Sequence, residues 1–376
     1  MIYLDHSATT PIDPRVLDAM LPWLSANYGN PSSTHVLGRR ARVALEDART
    51  EIAHAVGAHP SELLFTSGGT ESNNTILHSC LYESNLVERV YCSAIEHHSV
   101  LDVVKSIDGK GATAGVIPVD TFGRVAAASL QDYNETRTLV SVMHVNNEIG
   151  TVQDITEIRS AVPNVLFHSD MVQSLGKVPV HLTNMGLDFA AFSAHKINGP
   201  KGVGALFVRK GLDFKPVLLG GGQERNRRAG TENLASIIGF QTAVRIAIAE
   251  FEERTAAMTV RTEQLRTAIH SMLPNVRINT PNEHAAPNIL NISFPNVTSL
   301  DGESILQHLD IHGVCVSNGS ACVSGSQQPS HVLQAIGLSE NEASAGVRFS
   351  VSHLTTAEEI FSAVTILEQV NRAMCV

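Results

Sequence analysis

No run of 18 consecutive apolar residues occurs in the 376-residue chain, so no segment has the length of a transmembrane helix. The opening MIYLDHSATT has neither the basic start nor the long apolar stretch of a secretory signal. Cysteine is scarce. Cys80, Cys92, Cys315, Cys322 and Cys375 are too few and too unevenly spaced for a disulfide framework, and an odd number without an export signal fits a reducing, cytoplasmic location. No CxxC pair and no HExxH is present, which leaves a protein-only zinc site without support despite 17 His. Positive charge is also short, 27 Lys and Arg against 37 Asp and Glu for a formal net charge of -10, and no basic run appears. Both argue against direct nucleic-acid binding. Repeats and low-complexity tracts are missing. With 43% hydrophobic and 17% charged residues, the composition excludes disorder, a collagen-like repeat and a coiled coil, and leaves a globular chain with a sizeable core.

The length suits two or three domains. From about residue 35 to 245, short apolar runs alternate with helical patterns, the signature of an α/β domain with a mostly parallel sheet. Residues Arg40 to Val56 place Ala41, Ala44, Leu45, Ala48, Ile52, Ala55 and Val56 on one helical face. Strands are predicted at Glu62–Thr66, Val87–Cys92, Thr138–Met143, Val165–His168, Phe189–Phe192 and Val203–Val208. A long helical pattern from Ala235 to Leu273 stops before Pro274 and would span roughly 55 Å at 1.5 Å per residue, enough to link two domains. The block from 275 to 376 reads as a smaller α+β domain, with the N-terminal arm packing on it.

Polar residues cluster where these strands end. ELLFT is followed by SGGTESNN, RVYCS by AIEHHS, TLVSVM by HVNNEIG, VLFHS by Asp170, and LDFAAFS by Ala194-His195-Lys196. Ligands of open parallel sheets bind outside the carboxyl ends of the strands, so five such coincidences predict one crowded pocket. Ser67-Gly68-Gly69-Thr70 lies between a strand and a helix and suits a phosphate cradle, or an ordinary βα turn. It matches neither GxxxxGK[ST] nor GxGxxG. Asp170 and Lys196 are 26 residues apart, about one strand–helix–strand unit. A salt bridge is one reading. The other is pyridoxal phosphate, with the lysine amine on the aldehyde and the carboxylate holding the ring nitrogen protonated.

His97 and His98 sit beside this ring site, and the spacing does not choose which of them stacks on a cofactor or shuttles protons. Cys322 lies in SNGSACVSGSQQPS, too polar a stretch to bury a thiol. It is either incidental or a mobile nucleophile. The other thiols read as structural or, for Cys375, terminal. Arg348 in GVRFS is either a surface strand residue or the bidentate anchor of an amino-acid carboxylate. Arg225, Arg227 and Arg228 form the one basic cluster and suggest an anion site or a subunit contact.

LDHSATT, GNPSSTH, FTSGGTESNN, EHHSVLD, HVNNEIGTVQDI, HSDMVQSLGK, SAHKINGPKGVGALFVR, GGGQERNRRAGTEN and SNGSACVSG followed by PSHVL resemble, in this order, the cysteine desulfurases of the nitrogenase and iron–sulfur housekeeping group. These are fold-type I, class V enzymes dependent on pyridoxal 5'-phosphate. The match runs from Leu4 to about Ser350. It implies an α/β fold-type I transferase with a large, mixed, mostly parallel seven-stranded sheet domain (15–260) and a smaller α+β domain (1–14 and 261–376) carrying a mobile cysteine loop (317–330). It further implies that Lys196 carries the cofactor, Asp170 pairs with its ring nitrogen, and His97 stacks on the ring as acid or base. Gly69, Thr70, Ser193 and His195 would hold the phosphate, with Thr231 added from the partner subunit of a homodimer. Asn147 and Gln173 would contact the ring hydroxyl side, Asn147 and Arg348 the substrate, and Cys322 would take the sulfur as a persulfide.

The activity so implied converts L-cysteine to L-alanine and passes sulfur to an acceptor protein, an iron–sulfur scaffold or a thiolation relay. No resident metal is implied, only transient ligation of a partner's iron–sulfur cluster by Cys322; nor is a membrane or nucleic-acid partner. Selenocysteine lyase and a class V aminotransferase are the alternatives. The chain departs from the family pattern at His6, at Ala194 before His195, at HSDMVQ, and at SVSHLT after Arg348, where a basic residue is usual. It also ends soon after its final helical pattern, without the longer C-terminal segment that docks an iron–sulfur scaffold in some members.

Overall fold

Seven strands form the central sheet of the computed structural model, which describes residues 1–107, 111–295, 302–318 and 329–374. In chain order the first half contains β1 (Ile2–Tyr3), α1 (Pro14–Leu24), α2 (Val36–Ala55), β2 (Leu63–Thr66), α3 (Gly69–His78), β3 (Arg89–Ser93), α4 (His98–Ile107), β4 (Thr113–Ile117), β5 (Thr138–Ser141), α5 (Ile155–Ala161) and β6 (Leu166–Asp170). Then follow α6 (Leu182–Met185), β7 (Phe189–Ser193), β8 (Gly204–Val208), the short turn α7 (Gln223–Asn226), α8 (Leu234–Ala249) and α9 (Phe251–Met272). The chain closes with β9 (Arg277–Ile278), β10 (Ile289–Ser293), α10 (Gly302–Ile311), β11 (Val314–Cys315), α11 (His331–Ala335), α12 (Glu340–Ser344), β12 (Gly346–Ser350) and α13 (Ala357–Met374).

The large sheet has the order β2-β8-β7-β6-β5-β3-β4. Every pairing is parallel except those of β8, which is antiparallel to both its neighbours. Strands β2, β5, β7 and β8 are buried along their whole length, as expected when helices cover both faces of a sheet. On one face, Ala41, Leu45, Ala48 and Ile52 of α2 and Phe240 and Val244 of α8 meet Phe65, Val140, Phe167 and Phe207. On the other, Ile76 and Leu77 of α3 and Val100 and Val104 of α4 meet Leu64, Val90, Leu139 and Phe189. The predicted strands are all present. The seventh, β4, was not legible because its TAGVI carries Ala and Gly where strand preference is low; it forms by parallel pairing with β3 from Arg89↔Thr113 to Ser93↔Ile117.

The single helix expected over Ala235–Leu273 is two helices, α8 and α9, bent by 75° at Glu250 (φ -105°, ψ 17°). Each half follows a different apolar core. Helix α8 belongs to the large sheet, whereas Met258, Leu265 and Ile269 of α9 pack with Leu290, Phe349, Val364 and Leu4. Glu250 at the break is held by Arg15 and Arg254. This second core lies on the three-stranded antiparallel sheet β12-β10-β9, and β1 pairs with β11 beside it, so the N-terminal arm packs there. Among the described residues no single helix is long and apolar enough to cross a membrane.

Candidate active site

The turn after β2 builds one wall of a cavity of about 330 Å³. Gly68 adopts φ 152°, a conformation that L side chains rarely reach. At Gly69 a Cβ would lie 2.6 Å from Val172 Cγ2, so only glycine lets the start of α3 close on the segment after β6. Helix α3 therefore points its N-terminal end, the positive end of its dipole, into the cavity through Gly69 and Thr70, with Ser193 and His195 on the same lining. Burial first, then Lys196, Lys177 and Lys201, push His195 down to about 4, so at neutral pH it offers a neutral imidazole. Its Nδ1 lies 3.1 Å from Thr9 Oγ1.

Asp170 closes β6 and is buried. Its Oδ2 accepts from Asn73 Nδ2 at 2.7 Å and its Oδ1 from the Val172 N–H at 2.9 Å. The same Asn73 amide donates to Ser99 Oγ at 2.9 Å, and Ser99 Oγ is 2.8 Å from His97 Nδ1. Burial, aided by Lys196, pushes His97 down despite the opposing pull of Asp170. His98 also lines the cavity but pairs with Asp102 at 3.1 Å. Of the two histidines, His97 shares the hydrogen-bonded chain that ends on Asp170.

Lys196 follows the neighbouring parallel strand β7 at the end of a single 3-10 turn. Its Nζ donates to the carbonyls of Ser7 at 2.5 Å and Ala8 at 2.7 Å. Gln173 Nε2 donates to the same Ser7 carbonyl at 2.9 Å. Arg348 in β12 is 2% exposed. Its guanidinium donates to Asn147 O at 2.9 Å and to Asp5 Oδ1 at 2.7 Å, while Nε is buried with no acceptor among the described residues. Glu148 lines the cavity too; burial pushes its carboxyl up, and Ser330, which caps α11, donates to it at 2.5 Å.

Ten residues singled out from sequence thus share one cavity: Gly69, Thr70, His97, Asn147, Asp170, Gln173, Ser193, His195, Lys196 and Arg348. Thr231 does not. It lines a separate cleft of about 110 Å³ with Ser67 and Arg228. Cys322 lies outside the described residues, as does most of its loop. Within the basic cluster, Arg225 pairs with Glu46 and Arg228 with Glu71. Cys80 and Cys92 are buried with their thiols pushed up by burial, as structural cysteines are. No group of three or more His, Cys, Asp or Glu among the described residues is placed to hold a metal. Sequence reasoning missed Asn73, Ser99 and the Ser7 and Ala8 carbonyls. Asn73 sat unremarked in SGGTESNN; main-chain acceptors leave no residue-type signal.

The donor set fits pyridoxal phosphate. A lysine amine and a buried carboxylate stand at adjacent strand ends, and the helix α3 terminus with its glycine, threonine, serine and neutral histidine suits a phosphate. The cavity volume is in the range of small-cofactor sites.

The family model for class-V aminotransferases matches residues 2–362. The chain is 42% identical over 373 residues to the cysteine desulfurase IscS of Dictyoglomus turgidum, covering 98% of this chain and 94% of the relative. A solved NifS-like protein superposes with a TM-score of 0.91 at 35% identity, over 99% of both chains. SspA, solved in complex with cysteine, gives a TM-score of 0.80 at 32% identity, over 95% of this chain and 100% of its own.

Proposed function

Since the chain belongs to the class-V aminotransferases and, within them, to the cysteine desulfurases, we propose that it removes sulfur from L-cysteine with pyridoxal phosphate held on Lys196. The observation that carries this reading is the placement of Lys196 and Asp170 at adjacent strand ends in one cavity, opposite the start of α3. When bound, the cofactor supplies an electron sink that weakens bonds at the substrate's α and β carbons. Asp170 keeps the ring nitrogen protonated. Gly69, Thr70, Ser193 and His195 hold the phosphate, and Asn147 and Gln173 face the ring hydroxyl side.

The remaining roles follow from charge and position. Arg348, with its unused Nε, binds the substrate carboxylate beside Asn147. Lys196 Nζ, once the substrate amine has displaced it, would be free to take the Cα proton and return it as alanine forms. His97, its imidazole pushed down by burial, would stack on the ring and take up or give a proton there. The Cys322 thiolate attacks the substrate sulfur; the C–S electron pair stays with the carbon fragment, which is protonated to alanine, and Cys322 keeps the sulfur as a persulfide. Atoms and electrons balance without an outside oxidant. The persulfide passes to an acceptor thiol on an iron–sulfur scaffold or thiolation relay in the cytoplasm.

A homodimer completes the site by bringing Thr231 of one subunit to the phosphate of the other. Leu17, Leu21 and Leu24 of α1 and Val36 of α2 are exposed and supply apolar surface for such a contact. The division into 15–260 and 1–14 with 261–376 is supported by the separate cores of the large and small sheets, although Met258 of the first span packs in the second core.

The test is turnover of L-cysteine by the purified protein loaded with pyridoxal phosphate and supplied with a dithiol. Alanine and sulfide are expected in equal amounts. The Cys322→Ser variant should keep the cofactor's colour and lose sulfur transfer to the dithiol. Alanine release from cysteine at the wild-type rate by that variant would contradict the persulfide route, and strong preference for selenocysteine would favour a lyase for that substrate.

A further inference from the structure

One charged group beside the cavity has no part in the chemistry above. Lys177, in the HSDMVQSLGK stretch, is buried. The turn at Gly176 (φ 71°), where a Cβ would meet Ala247 Cβ at 3.0 Å, carries the lysine inward against α8. Its Nζ donates to Gln173 Oε1 at 2.5 Å. Gln173 Nε2 in turn donates to the Ser7 carbonyl, which also accepts from Lys196 Nζ. The order is therefore Lys177, Gln173, Ser7 carbonyl, Lys196.

This order fixes the orientation of an otherwise ambiguous amide. A backbone carbonyl can only accept and an ammonium can only donate. Gln173 must therefore give Nε2 to Ser7 and Oε1 to Lys177. A flipped amide would set oxygen against the Ser7 carbonyl oxygen, losing that bond, and would set NH2 against an ammonium whenever Lys177 is protonated. With one Nε2 proton committed to Ser7, the second is left for the cavity that Gln173 lines with Asp170 and Lys196.

We propose that Lys177 is a positioning residue that locks the Gln173 amide, so that its Nε2 face is presented to the ring hydroxyl side of the bound cofactor. This rests on the cofactor reading given above. Among the described residues no carboxylate offers Lys177 a competing partner: His6, Lys196, Arg254 and His353 share with it a small cavity of about 30 Å³ whose lining contains no Asp or Glu, and Arg348 adds further positive charge. Burial, then Lys196 and Arg348, push the Lys177 amine down to about 7. Such an amine still donates to Oε1 when neutral.

Removing the donor leaves Oε1 buried without a partner, whereas removing both partners leaves no orphan. The experiment uses the full chain, stripped of and reloaded with pyridoxal phosphate, as wild type, Lys177→Met, Lys177→Arg, Gln173→Leu and the Lys177→Met/Gln173→Leu double variant. Lys177→Met is expected to weaken the dissociation constant for pyridoxal phosphate about tenfold and to shift the visible band of the bound cofactor. KM for cysteine should change less than about twofold, because Arg348 is untouched. Lys177→Arg restores the affinity and the band, and the double variant matches Gln173→Leu alone, since Lys177 acts only through Gln173.

Wild-type affinity and band in Lys177→Met would overturn the assignment while leaving the cofactor reading intact, as would strictly additive losses in the double variant. If Lys177→Met does not fold, the double variant, which orphans no acceptor, decides by the same comparison with Gln173→Leu. Failure of the wild-type protein to bind pyridoxal phosphate at all would overturn the cofactor reading, and this inference with it.

Discussion

Asn73 Nδ2 donates to Asp170 Oδ2 at 2.7 Å, and this bond fixes the carboxylate from the start of α3 across to the end of β6. With Val172 N–H on the other oxygen, both carboxylate oxygens are held by neutral donors. The carboxylate stays aimed into the cavity. Asp170→Asn should lower kcat/KM for cysteine by about a hundredfold or more, because an amide cannot stabilise a protonated ring nitrogen. Asn73→Ala, which only loosens the carboxylate, should cost about tenfold. Steady-state kinetics of the two variants check the order, and equal losses would mean that Asn73 does more than orient.

Arg348 separates substrate binding from chemistry. Its two terminal nitrogens are committed to the Asn147 carbonyl and Asp5, and Nε has no partner among the described residues. Arg348→Lys keeps the charge but not the fork. The expected result is a rise in KM for cysteine of about tenfold with kcat changed far less, measured by alanine release across a range of cysteine concentrations.

Glu96 sets a pH dependence of stability. It is fully buried, and burial together with Asp170 pushes its carboxyl up to about 8, against bonds from Ser93 and the Met143 N–H. Between its ordinary value of 4.5 and about 8 the folded protein keeps a proton that the unfolded chain has released, so this group's stabilisation is complete below that window and is lost as pH rises through it. Glu96→Gln mimics the neutral acid. The melting temperature of the variant should gain on wild type by about 2–4 °C as pH is raised across the window. A difference that does not change with pH would show that Glu96 is ionised in the folded protein.

Most of the sheet and its polar ends were legible because five strands, β2, β3, β5, β6 and β7, announced themselves twice, by an apolar run and by the polar residues that follow it. Asp170, Lys196 and the Gly68-Gly69 turn were found this way, since their chemistry depends on residue type and strand-end position. What escaped the sequence was of another kind. The bend at Glu250 arises because α8 and α9 serve different cores, and helical periodicity alone does not say which core a turn will join. Strand β4 forms on the strength of its partner rather than its own composition. The carbonyls of Ser7 and Ala8, which hold Lys196, belong to every residue alike. Asn73 and Lys177 act on Asp170 and Gln173 through contacts visible only after folding. Thr231 lies away from the cavity within one chain, and residue type alone does not say so.

The most direct measurement is reduction of the pyridoxal phosphate-loaded protein with borohydride, followed by peptide mapping. The reduced cofactor is expected on Lys196 at about one equivalent per chain, with none retained by Lys196→Ala. Cofactor fixed at another lysine, or no covalent attachment in a protein that still converts cysteine to alanine, would contradict the account.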